Sequence, residues 1–174
     1  MHTLFIVSIL TALLSAGSSA FVAEQSPALV VRGFYTRHFV SPKRMFFSRE
    51  NVRRESGSLS PKLYRLMLHE LQRAEEVERE YKGADAKKPY ISGDVFTNSE
   101  SPPQVFRLGK SSQSRGTAEV EVWCYWNDQT VGRMKSRMRV LLVLVKDKWL
   151  IDNLVYEDGT NLVSMLSRRD YFGD

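Results

Sequence analysis

The sequence predicts an α+β fold: two to three N-terminal helices cover one face of a curved antiparallel sheet of about four strands, and a short C-terminal helix closes it. Three observations predict it. Apolar residues recur at helical spacing in the first half of the chain, behind two Ser-Pro starts. In the second half the runs AEVEVWCYW, GRMKSRMRVLLVLV and KWLIDNLVY alternate between apolar and polar residues, with short polar turns between them. Helices and strands are therefore segregated along the chain. The pattern defines a fold class and leaves the chemistry to individual side chains.

Ser26 and Pro27 read as N-cap and first helical residue, and Val30, Val31, Phe34, Tyr35, His38 and Phe39 follow at three- and four-residue spacing. This helix ends before Ser41-Pro42, because a residue preceding proline avoids helical angles. The basic stretch KRMFFSRENVRRESG holds at most a short helical turn. Ser60-Pro61 opens a longer helix with a stripe of Leu63, Leu66, Met67, Leu71, Ala74 and Val77, and Glu70, Glu75, Glu76, Glu78 and Glu80 mostly outside it. Gly83 ends that helix. Residues 84–103, rich in Pro, Gly, Ser and Asp, form a long irregular connection, which in a compact domain is functional or folded over something. Strands are expected at 104–110, 117–127, 133–146 and 149–156, and a last helix at 162–167.

Alternation also sets the register of the second and third strands. Ala118, Val120, Val122, Cys124 and Trp126 share one side, as do Met134, Ser136, Met138, Val140, Leu142 and Leu144. Glu119, Glu121, Trp123 and Tyr125 then face Arg133, Lys135, Arg137 and Arg139 on the other side, given a loop with an odd number of residues centred near Gln129 or Thr130. A slip of one residue would bury Glu121 among methionines, at several kcal/mol for an unpaired charge. The cationic row is thus a solvated outer face with glutamate and aromatic partners rather than a nucleic-acid surface. Beyond Val140 the third strand is apolar on both faces, so a terminal helix or a second copy of the chain covers the back.

At 174 residues the chain fits one domain that buries roughly two-thirds of its unfolded surface. Residues 1–20 read as a signal peptide: an apolar run from Leu4 to Leu14 is followed by small residues ending in Ser18-Ser19-Ala20, leaving residues 21–174 as the domain. The run falls short of the roughly 20 residues of a membrane span. No basic residue precedes it. The expected location is periplasmic or extracellular. There a net charge of +5 and a pI near 9.4 suit acidic envelope partners better than nucleic acid. The single cysteine, Cys124, forms no internal disulfide and sits in an alternating strand as a small buried hydrophobe.

Four residues are candidates for ligand binding. His38 lies one turn after Phe34 on the apolar stripe and could act as an acid–base group, with the Tyr35 hydroxyl beside it. Asp152 interrupts an apolar strand and needs a partner: it pairs with an arginine, for example Arg32 or Arg37, or caps a loop. Asp94, in GDVF, caps a turn or faces a pocket mouth. His38 and His69 are isolated, no Cys or Asp cluster has ligand spacing, and neither a phosphate loop nor a nucleophile elbow occurs, so no metal, cofactor or catalytic motif is expected.

The segments VVRGFY, LSPKL, GDVFTNS and LVKDKWLIDNLVYEDGTNL, in this order across residues 28–166, resemble a family of exported bacterial proteins, domain of unknown function 3828, in the nuclear transport factor 2-like superfamily. The resemblance implies a cone, with a pocket between the first helix and the concave face, and no single activity. Relatives often carry a second acidic residue after Asp152 where this chain has Asn153, a departure that weakens a paired-carboxylate site. Three functions fit. The leading one is a non-catalytic module binding a small molecule or peptide. The others are a proton-transfer enzyme with His38 or Asp152 as base and Tyr35 as oxyanion donor, and an adaptor, inhibitor or immunity protein using the basic segment from Lys43 to Arg54.

Overall fold

A computed structural model describes residues 26–41, 45–80, 93–128 and 132–168. The proposed leader at 1–20, the helix stop at Gly83 and the tip of the hairpin near Gln129 and Thr130 lie outside the described residues. Helices α1 (Pro27–Val40), α2 (Arg49–Glu55) and α3 (Pro61–Glu80) precede strands β1 (Val105–Ser114), β2 (Thr117–Asp128), β3 (Gly132–Val145) and β4 (Lys148–Val155), and α4 (Leu162–Leu166) follows. The strands form one curved antiparallel sheet in the order β1-β2-β3-β4, so the class is α+β as expected.

The side chains explain these elements. Ser26 caps α1 by accepting from the Leu29 N–H, with proline in the first turn. At α3, Ser60 Oγ accepts from the Leu63 N–H at 3.1 Å. Helix α2 corrects the expectation of at most a short turn between 43 and 57. It runs seven residues, with Ser48 as N-cap, Glu50 in its first turn and Arg53 and Arg54 in its last. A 3₁₀ turn, Ser56–Ser58, links it to α3. Its one apolar residue, Val52, is buried, and so are Asn51 and Glu55, which is why an apolar stripe did not announce it.

The β2–β3 register follows the alternation. Glu121 faces Arg139, Trp123 faces Arg137 and Tyr125 faces Lys135, while Val122 faces Met138 and Val120 faces Val140. Asp128 pairs with Gly132, leaving three residues between the strands, an odd number. Outside, Glu119 binds Arg139 at 3.1 Å, Glu121 reaches Arg137 at 3.7 Å, and Lys135 lies 5.0 Å above the Trp123 ring. Inside, Ala118, Val120, Val122, Cys124, Met138, Val140 and Leu142 join Phe34, Tyr35, Leu63 and Met67 in one core.

Two bulges interrupt the ladder. Gly109 and Lys110 of β1 together oppose Glu121, and a Cβ at Gly109 would collide with the Glu121 carboxylate. In β4, Leu141 pairs with Asn153 and Leu142 with Ile151, so Asp152 is the extra residue. That bulge brings Trp149 and Ile151 to the same buried side as Leu154 and Tyr156, which strict alternation would separate. Helix α4 packs on α3 and β4 with Leu162 and Leu166 in the core. It therefore lies on the helix side of the sheet and leaves Leu141, Val143 and Val145 half-buried on the other. No helix among the described residues is long and apolar enough to cross a membrane.

Candidate functional site

Within the long connection, the 93–99 turn is gripped by side chains of α1 and of the segment after β4. Asp94 and Ser99 close it as a two-residue bridge, with the Asp94 N–H donating to the Ser99 carbonyl at 2.9 Å. Gly93 stands at φ +73°, and a Cβ there would lie 2.6 Å from the same carbonyl oxygen, so the closure requires glycine. Asp94 Oδ1 accepts from the Phe96 N–H at 2.9 Å. Val95 and Phe96, at the tip, are buried, so this part of the connection is folded onto the core.

Three side chains hold this turn from outside it. His38 Nε2 lies 2.7 Å from Asp94 Oδ2, and an ionised carboxylate only accepts, so the ring nitrogen donates. The Tyr35 hydroxyl donates to the Phe96 carbonyl at 2.8 Å and lies 3.0 Å from Met138 Sδ. The Tyr156 hydroxyl donates to the Val95 carbonyl at 2.8 Å. Burial, with Asp94 nearby, pushes the Tyr35 and Tyr156 phenols well above their usual range and the Cys124 thiol to about 12. All three stay neutral at ordinary pH and act through hydrogen bonds or packing.

Aromatic rings fill the space around these groups. His38 stacks on Phe34 at 5.8 Å, Phe96 meets both rings edge-on, and Tyr35 and Phe39 pack on Phe106. His38 and Asp94 are each 1 % exposed, and Tyr35 is fully buried. Among the described residues His38 Nδ1 has no hydrogen-bond partner.

The structure thus brings together three of the four predicted site residues, Tyr35, His38 and Asp94, and sets Asp152 apart. Asp152 accepts from Ser60 Oγ at 2.6 Å and lies 3.6 Å from Lys62 Nζ, while the Ser60 N–H donates to the Ile151 carbonyl at 2.8 Å. These contacts fasten the start of α3 to β4. The expected pairing of Asp152 with Arg32 or Arg37 is therefore corrected: Arg37 instead donates to Ser58. Asn153 has its own task, for its Oδ1 accepts from the Val163 and Leu154 N–H groups and its Nδ2 donates to Asn161, the N-cap of α4. An aspartate there could not make the last bond.

Sequence reasoning missed Tyr156, Glu55 and Glu70. Glu70 is fully buried beside Arg73, an exception among glutamates expected mostly outside the stripe. Its signal was available, since Leu63, Met67, Glu70 and Ala74 follow one another at four- and three-residue spacing. Among the described residues no group of three or more His, Cys, Asp or Glu could hold a metal ion. Comparison with family models, curated proteins and solved structures finds no match to this chain.

Proposed function

We propose that this protein is an exported, non-catalytic binding module of the nuclear transport factor 2-like superfamily that engages a peptide or protein on its outer surface. The curved sheet and the helices packed on one side of it are compatible with that superfamily's cone. One observation carries the surface reading: the space where such a cone would receive a ligand is occupied by the protein's own Phe34, Tyr35, His38 and Phe96, whose polar atoms bind the 93–99 turn. In this reading Tyr35, His38 and Asp94 support the fold near the binding surface and Asp152 anchors α3.

Native mass spectrometry of the protein taken from its own host's envelope tests the proposal. A retained peptide or protein that raised salt releases is the expected result. A small molecule that stays until the chain unfolds would put the ligand inside and overturn it.

A second reading, a proton-transfer enzyme, has the His38–Asp94 pair and the unpartnered His38 Nδ1 in its favour. It needs an opening to His38 and a Tyr35 hydroxyl released from Phe96. A small carbonyl compound retained in the same spectrum would favour it.

A further inference from the structure

The two edges of the sheet differ. The edge at β4 is closed by the chain itself: Leu59 bridges Ile151, the Ser60 N–H donates to the Ile151 carbonyl, and Asn161 bridges Val155. Strand β1, at the other end of the order, has no strand beside it among the described residues. Among the described residues its backbone groups on that side are thus a template open to another extended chain.

Next to this edge, on the sheet face turned away from the helices, lies a groove of about 400 Å³ lined by Gln104, Val105, Arg107, Tyr125, Asn127 and Arg133, with Trp126. Val105 is 51 % exposed within it. Arg107 lies over the Tyr125 ring at 5.6 Å, and among the described residues neither Arg107 nor Arg133 has a carboxylate within ion-pair reach. Elsewhere on this face Arg137 reaches Glu121 and Arg139 binds Glu119, while Lys135 lies over the Trp123 ring. Among the described residues the groove thus gathers two arginines of this face that have no carboxylate partner.

Composition selects among occupants of the edge. Residues 104–116, QVFRLGKSSQSRG, contain Arg107, Lys110 and Arg115 and no Asp or Glu. Pairing β1 with β1 of a second copy would gather only cations across the new ladder, and like charges facing one another destabilise it. An acidic chain meets the opposite situation.

Resting on the surface reading above, we infer that β1 and its groove form a docking site for an extended acidic peptide segment of a partner protein. The segment adds as a fifth strand along β1, and its carboxylates turn over Val105 toward Arg107 and Arg133. Main-chain hydrogen bonds supply the geometry, and the two guanidiniums select acidic over basic sequences.

A labelled ten-residue peptide of alternating glutamate and threonine, titrated into the full protein and followed by fluorescence anisotropy, tests this. Binding is expected to weaken in high salt, and by about tenfold or more in the double variant Arg107→Glu/Arg133→Glu, whose melting temperature should stay that of the parent. Arg107→Gln, which removes one charge without reversing it, should give a smaller loss. Two versions of the probe, N-methylated at alternate amides in the two possible phases, separate strand addition from simple charge attraction: one phase should bind poorly and the other well. Equal binding of the lysine-threonine counterpart, undiminished binding by the double variant, equal binding of both methylated phases, or a protein dimer that the peptide dissociates would each overturn the inference. Amide shift mapping distinguishes its failure from that of the parent reading. Shifts at Tyr35 and Phe96 overturn both, while shifts on the outer face away from β1 overturn this inference alone.

Discussion

The polar cluster under α1 and the charged ladder on the back of the sheet are built from similar groups placed in opposite surroundings. Under α1, His38, Asp94, Tyr35 and Tyr156 each meet a fixed protein partner at 2.7 to 2.9 Å, in a space closed to water by aromatic rings. On the back of the sheet, Arg139 and Arg137 meet their glutamates at 3.1 and 3.7 Å with about half of each arginine side chain exposed, and among the described residues Arg107 and Arg133 have no such partner. Where water is excluded, an unmet hydrogen bond is expensive, so polar groups there dictate one conformation. Where water competes, a pair contributes little, and the same charges are left to select what binds.

The largest expected effect comes from breaking the interior side of this contrast. Asp94→Ala removes the acceptor for both His38 Nε2 and the Phe96 N–H, and each buried donor left unmet costs about 1–3 kcal/mol. Urea unfolding should show a loss of that size; a loss below about 1 kcal/mol would mean that water satisfies the turn in its absence.

Alkaline pH sharpens the same side. The native pKa of Cys124 is raised from 9.0 to about 12, so the stability it contributes is fully present below pH 9 and is lost as pH rises toward 12, with a slope of about 1.4 kcal/mol per pH unit. The raised Tyr35 and Tyr156 phenols act in the same direction from pH 10 upward. Cys124→Ala should flatten the stability profile between pH 9 and 10, read by chemical denaturation at each pH. An unchanged slope would show that the thiol does not carry this loss.

The exterior should respond least. Arg139→Ala breaks a half-exposed pair with Glu119 and should change stability by about 0–1 kcal/mol, a difference that moderate salt erases. A loss above 2 kcal/mol in the same unfolding assay would show that the ladder is part of the folded framework.

The two regions were unequally legible in the sequence. The ladder was read down to its register, because a period of two leaves one pairing that puts Glu121 beside Arg139 and Val122 beside Met138. The interior cluster was read only in pieces. His38 and Asp94 each stood out as polar residues in an apolar or turn setting, but their meeting depends on the 93–99 turn folding beneath α1, and no local pattern encodes a contact 56 residues apart. Tyr156 stayed hidden because the bulge at Asp152 shifts the phase of β4. Asp152 was singled out for being a carboxylate in a strand, yet its neighbour across space, Ser60, had been read only as the start of a helix. Helix α2 escaped because capping and terminal charges, rather than an apolar stripe, mark it.

The 93–99 turn is tied to α1 through contacts spanning 56 and 61 residues and to the end of β4 through one spanning 61. Its closing contacts can form only when the opening helix and the end of the last strand have both reached their native places. Contacts of such span stabilise the turn only after the entropy of closing long loops has been offset, so the order of this short segment depends on both ends of the chain.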